Sequence, residues 1–342
     1  MKTGEKKLKQ ASQRFTVRDF LSFREGGVAL ATLVLIVIFT SINRNFLSLR
    51  NFSVIGELVT ANAAVAAGQV MLMVVGEIDL SVGAVYSLPP YLMYLLSIRG
   101  ISFGIAAPLG VLAAASVGLA NGLLTVRLRV PSLITTLGMY FFITAVNLLM
   151  SKGFYQVMPR EEPYTTLLGG GTVFGVEISL IWTIITVVGL AVVLARMRHG
   201  VWSIATGSNF VGAGEVGVNT GRTKIRNFVL SSTIAGLWGI FIANRGFVSP
   251  GGTGVADPLQ GGDELILGSI AAAVIGGTSL FGGSGTVIGA LAGSLLIAVL
   301  KNGLTLVGAT AFIYTSLLGF AIILSMVINT QTRKFARGKL GL

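Results

Sequence analysis

The stretch Gly76-Glu77-Ile78-Asp79-Leu80-Ser81-Val82-Gly83 sets two carboxylates and a hydroxyl between apolar runs, with no Lys or Arg from Asn51 to Ile98 to pair with them. A charge at the middle of a bilayer costs at least ~2.5–3.5 kcal/mol, so acids held there face a cavity, a partner or water, and often mark proton or solute paths. Gly76 and Gly83 permit a break in a helix, which a membrane accepts only where protein covers the backbone or it lines a cavity. Gly76, Glu77, Asp79, Ser81 and Gly83 therefore read as a broken-helix element, or part of a translocation pathway, inside or at the edge of a membrane bundle. The plainer alternative is a solvated loop between two helices.

Two further stretches look chemical by letter and fail on context. Gly277-Thr278-Ser279-Leu280-Phe281-Gly282-Gly283-Ser284 nearly spells a phosphate-binding loop, but Gly283 stands where the lysine belongs and an apolar span precedes it instead of a strand. Gly212-Ala213-Gly214-Glu215-Val216-Gly217 matches the dinucleotide pattern without a βαβ context. The chain is therefore not expected to hydrolyse ATP or to be an enzyme. It has no cysteine, which excludes disulfides, thiolate chemistry and cysteine metal sites. The single histidine, His199, follows Arg196 and Arg198 and reads as part of a basic membrane flank, so no metal is expected.

The elements that must position these residues follow from composition. Of 342 residues, 53% are hydrophobic and 11% charged, with a mean hydropathy of +0.83. A soluble domain carries about 25% charged residues. The chain reads as an all-α polytopic membrane protein. Spans of ~20 apolar residues appear ten times, at about 26–43, 53–75, 82–98, 101–124, 131–150, 177–196, 227–244, 264–281, 285–300 and 311–329, with a range of 8–10. Pro89 and Pro90 should kink or shorten the third. The eighth and ninth are close enough to form a re-entrant pair. Residues 1–25 and 331–342 are basic tails flanking a single domain at 26–330.

Orientation follows from Lys and Arg in short loops. With both termini in the cytoplasm, 18 of the 25 Lys and Arg fall on that face: seven in the N-terminal tail, Arg127 and Arg129, five between Arg196 and Arg226, and four in the C-terminal tail. The net charge of +12 thus serves membrane orientation, and nucleic acid is not expected as a partner. On the cytoplasmic face, residues 206–226 (within a coupling segment of about 200–226) form a long connection without a core of its own, read either as a plain linker or, more sharply, as a short surface helix open to a partner. On the other face, the loops 151–176 and 245–263 are rich in Gly and Pro. They either receive a soluble protein or close the bundle.

Small residues recur at a spacing of four at Ala114/Gly118/Gly122 and Gly285/Gly289/Gly293, which lets helix backbones approach closely. Val75–Gly83 can also be laid on Ile275–Gly283, a hint of the internal repetition found in transporters.

Three places resemble the membrane-spanning permease of ribose-type sugar ABC importers, in the broad family that includes the branched-chain amino acid permeases. Gly76 to Gly83 resembles its Gly-Gly-Ile-Asp-Leu-Ser-Val-Gly signature. Ala205-Thr206-Gly207-Ser208-Asn209 with Gly217-Val218-Asn219 resembles the segment that docks the ATPase. Ile270 to Gly283 resembles the late signature, which includes Gly276, Gly277, Thr278, Ser279, Gly282 and Gly283 and continues into Asn302-Gly303-Leu304. Glu77 departs from the usual second glycine, Val211 and Gly212 stand where alanines are common, and Ile266-Leu267-Gly268 replaces Glu-Leu-Asp.

The resemblance implies a conduit for a monosaccharide in the bacterial cytoplasmic (inner) membrane. It implies a second permease copy, identical or related, and a cytoplasmic ABC ATPase docked on Ala205, Gly207, Asn209, Gly212, Gly217 and Val218. It also implies a periplasmic or lipid-anchored sugar-binding protein. ATP and Mg would be bound by the ATPase, with no cofactor in this chain. The rival is an ion-coupled secondary transporter using Glu77 and Asp79.

Overall fold

Each of the ten apolar stretches contains a helix, and the breaks fall where serine, asparagine, threonine or glycine can satisfy a helix end. The computed structural model describes residues 26–249, 251–259, 261–310, 312–324 and 327; the tails at 1–25 and 331–342 lie outside the described residues. The helices are α1 (Gly26–Ile42), α2 (Leu49–Met73), α3 (Val82–Ser97), α4 (Phe103–Arg127), α5 (Ser132–Ser151) and α6 (Ile178–Arg196), followed by α7 (Arg198–Ser208), α8 (Phe210–Glu215), α9 (Thr220–Arg245), α10 (Gly262–Ile275), α11 (Val287–Leu306) and α12 (Phe312–Leu324). Side chains of Ser48, Ser102, Asn209, Asn219 and Thr286 accept from backbone N–H groups in the first turns of α2, α4, α8, α9 and α11, filling donors that helix starts leave open.

Six helices (α2, α4, α5, α6, α9 extended to Val248, and α11) are long and apolar enough to cross a membrane, which makes this a polytopic membrane fold. The all-α expectation needs one correction among the described residues: two pairs of two-residue strands. β1 (Gln156–Val157) pairs antiparallel with β4 (Val255–Ala256), and β2 (Thr172–Val173) with β3 (Val176–Glu177). The first pair knits the loops 151–176 and 245–263 together, so these loops do close one end of the bundle. Arg245 reinforces that end, ion-pairing with Glu57 on α2 and holding Glu177 with two hydrogen bonds of 2.6 and 2.8 Å.

The central helix is α9, packed on α2, α3 and α4. The Ala114/Gly118/Gly122 stripe of α4 meets it directly: a Cβ at Gly118 would fall 2.6 Å from the Phe228 carbonyl, and one at Gly122 would fall 3.0 Å from Ile225 Cα. The second stripe packs on α10 and the loop after it, with Gly289 against the Gly276 carbonyl and Gly293 against the Ala272 carbonyl. Pro89 and Pro90 neither end nor shorten α3, which continues to Ser97. Pro90 has no N–H for the Tyr86 carbonyl four residues back. Gly239 of α9 approaches that carbonyl so closely that a Cβ there would sit 1.7 Å from it.

α10 is short. Its 14 residues extend about 21 Å at 1.5 Å per residue, against about 30 Å for a bilayer core. Its start lies beside the start of α3, where a Cβ on Gly261 would meet the Gly83 carbonyl. α10 is therefore a half-helix that begins inside the bundle, and the Gly276–Thr286 loop joins it to α11. His199, beside the exposed Arg196 and Arg198, also ties α7 to α9: its Nε2 lies 2.8 Å from Asn227 Oδ1, and Asn227 donates to Ser203 at 2.9 Å.

Candidate functional site

α2 ends in a defined way. Gly76 N–H bonds the Met73 carbonyl at 2.9 Å, Glu77 N–H bonds the Leu72 carbonyl, and Gly76 takes φ +83°, the left-handed helix ending that favours glycine. α10 ends in the same pattern at Gly277 and Thr278, with Gly277 at φ +92°. The structural match is Gly76 with Gly277, one residue out of register from the sequence repeat. Gly100, Gly217 and Gly308 end their helices alike, so the shared backbone is a general helix ending and supports no duplication.

Beyond Gly76 the chain dives into the bundle. Glu77 forms an ion pair with Lys224, five residues into α9. Asp79 lies deeper, against Ser232, eight residues or about 12 Å further along the same helix. The Asp79 carboxylate is wholly buried and accepts from Ser81 Oγ at 2.6 Å, Ser81 N–H at 2.8 Å and Ser232 Oγ at 3.2 Å. Gln69 donates to the Asp79 carbonyl, and Asn121 donates to Ser81 Oγ at 2.8 Å. Thr136 at the start of α5 accepts from Leu80 N–H at 3.0 Å. The stretch is a broken helix whose backbone is clothed by α2, α4, α5 and α9. The two acids do not share a site: Asp79 is ringed by hydroxyl and amide groups, and Glu77 faces a cation.

The three sequence motifs, dispersed over more than two hundred residues, meet at one junction. Gly283 N–H bonds the Val74 carbonyl at 2.9 Å. Gly207 lies over that bond: a Cβ on it would fall 1.9 Å from the Val74 oxygen and 2.6 Å from Gly283 N. Gly282 abuts Gly76 and the Gly207 carbonyl, and Ser208 Oγ donates to the Gly283 carbonyl at 3.3 Å. Ala205 and Gly207 belong to α7, Asn209 caps α8 through Gly212 N–H at 2.9 Å, and Val218 N–H returns to the Ala213 carbonyl at 3.0 Å. The segment 206–226 is thus mostly helical, with the six-residue α8 as its outer turn. Phe210, Val211 and Val216 are 52%, 67% and 81% exposed there. Phe210 also touches the interior line, its ring 5.0 Å from Lys224 Nζ.

Lys224, Ser232, Gln69, Asn121 and Thr136 complete the site and were not visible as site residues in the sequence. Their partners are remote in the chain, and no local pattern marks an amide or hydroxyl as aimed at residue 79. Thr278 and Ser279 shape the late loop, where Phe281 N–H donates to Ser279 Oγ at 3.2 Å.

A family model described as the permease component of the branched-chain amino acid transport system matches residues 57–327. The chain belongs to this permease family. The xylose/arabinose import permease protein XylH of Sulfolobus acidocaldarius is 36% identical over 312 residues, covering 89% of this chain and 84% of its own length. The autoinducer 2 import system permease protein LsrC of Yersinia enterocolitica is 30% identical over 314 residues, covering 91% and 83%. The LsrC of Photorhabdus laumondii is also 30% identical over 314 residues, covering 91% and 90%. No solved structure matches the chain. The resemblance carried by the three motifs therefore holds for the permease as a whole, and the protein is a multi-pass membrane transport subunit.

Proposed function

We propose that this permease forms the translocation pathway of an ATP-driven importer for a monosaccharide, such as xylose, ribose or galactose, in the cytoplasmic membrane. The relatives named for xylose/arabinose and autoinducer 2 import support a small polyhydroxylated solute. The Lys and Arg bias supports ten crossings with both termini and the α7–α8 segment in the cytoplasm. The 151–176 and 245–263 loops then face outward, where a sugar-binding protein would deliver its load. A second permease copy would complete the path. ATP and Mg belong to a docked ATPase, and this chain supplies the conduit and the lever.

The observation that carries this reading is the glycine junction. The exposed α8 surface is braced at Gly207 against both signature loops, so a push on α8 has a rigid route into the bundle. Coupling between sites needs such a contiguous element with two arrangements.

Reconstitution tests it. In proteoliposomes with the ATPase and binding protein, sugar uptake is expected to require ATP and to survive an uncoupler. Gly212→Asp, which puts a charge on α8, is expected to abolish coupled uptake. Uptake driven by an ion gradient without the ATPase would overturn the proposal.

A further inference from the structure

A cavity of about 390 Å³ lies half-way along α2, bounded by α2, α3, the start of α10, α11 and α12. Small-molecule sites span ~300–1,000 Å³ and combine apolar walls with a few placed polar groups. Ser294 borders this cavity, is 1% exposed, and its hydroxyl has no hydrogen-bond partner. Asn62 donates to the Gly268 carbonyl at 3.2 Å while its own Oδ1 is buried without a donor. Both oxygens are enclosed in the cavity wall as they stand, so each side chain would turn to meet a ligand hydroxyl, recovering the ~1–3 kcal/mol that an unpaired buried polar group costs. Asp263 accepts from Tyr140 at 2.9 Å through one oxygen, and its other oxygen adds acceptor capacity at the cavity wall.

The charges here also discriminate. Among the described residues lining the cavity, Lys301 is the one cation, and Glu264 holds it in an ion pair. No uncommitted positive charge is left for a carboxylate or phosphate. Tyr86 and Tyr314 contribute aromatic surface, which suits the C–H face of a sugar ring.

We propose that this cavity is a binding site for a neutral, polyhydroxylated solute of monosaccharide size, with Ser294, Asn62 and Asp263 meeting its hydroxyls. The proposal rests on the import function above and states where in the permease the solute pauses. The position fits the lever. Gly83 packs on Gly261 and Gly262 in the cavity wall, while Glu77 and Gly76, at the other end of the same eight-residue stretch, hold Lys224 and the glycine junction. Movement at α8 would thus reach the cavity through Gly76–Gly83. A break in the chain beside a half-helix is also where transporters bind solute.

The absence of cysteine makes the test direct. Asn62→Cys and, as a smaller change at the same wall, Ala61→Cys each install a single thiol. The complete transporter carrying either variant is labelled with a thiol reagent in proteoliposomes while D-xylose, D-ribose, D-galactose or L-leucine is titrated. The sugar that the transporter imports is expected to slow labelling of both variants about tenfold at ten times its Kd, with no effect on Phe174→Cys at the far loop. Unslowed labelling by a sugar that is still imported would overturn the cavity assignment and leave the import function standing. Protection by L-leucine alone would overturn the solute class. If none of the sugars is imported, the import function falls and this site with it.

Discussion

Asp79 is a carboxylate held without a cation. Three donors converge on it from Ser81 and Ser232, so the charge is met by hydroxyl and amide dipoles packed inside the protein. Asp79→Ala strands these donors, and at about 1–3 kcal/mol for each unsatisfied group it is expected to cost at least ~3 kcal/mol. Asp79→Asn keeps the volume, and a rotated hydroxyl can still donate to the amide oxygen, so it should lose about half as much. Thermal unfolding of the detergent-purified permease checks the order; equal midpoints for the two variants would contradict it. Glu77 behaves differently because its partner is a charge. Glu77 and Lys224 side chains are 12% and 19% exposed, and breaking a pair so enclosed costs up to ~3–5 kcal/mol because the remaining charge is stranded. Glu77→Gln and Lys224→Gln should each lower uptake, and the swapped pair Glu77→Lys with Lys224→Glu should restore part of it. No rescue in the uptake assay would mean that the pair is not what joins these elements.

At the scale of elements, glycine decides which helices can touch. Gly207 lies two residues before Asn209 and Gly214 two residues after Gly212, yet they differ in space. A Cβ at Gly207 collides with the Val74 carbonyl, whereas nothing lies within 4 Å of one at Gly214. Gly207→Ala must therefore push α7 off the junction, an overpacking cost of about 1–3 kcal/mol, and should uncouple ATP hydrolysis from uptake. Gly214→Ala should be neutral or stabilise α8 by up to ~1 kcal/mol. ATPase rates with and without the loaded binding protein measure both, and equal behaviour of the two variants would contradict a rigid junction. The small-residue stripes were legible in the sequence because their spacing equals the helical repeat. Which helix each would meet was not, since α4 reaches α9 across a hundred residues.

At the scale of the whole molecule, the two ends of the bundle have different work. One end gathers the signature loops with α7 and α8. The other is sealed by the β1–β4 pair and by Arg245 bridging Glu57 and Glu177. Phe174 is fully exposed at that sealed end. In whole cells, an impermeant thiol reagent is expected to label Phe174→Cys but not Val216→Cys, and labelling of Val216→Cys from outside would invert the proposed orientation.

Hydropathy, charge bias and glycine spacing by themselves determined the class of the molecule, a bundle of several apolar helices, the broken stretch at Gly76–Gly83 and the family that its motifs suggest. These are local properties, because a bilayer imposes its length and polarity on each segment separately. Only the tertiary structure decided that Glu77 and Asp79 part company, that three distant motifs share one glycine contact, and that α10 starts inside the bundle beside a cavity. Those facts depend on pairings between residues more than 200 positions apart, as for Val74 and Gly283 or Asn62 and Gly268. Such pairings arise only when helix packing brings the faces together, and no single segment encodes them.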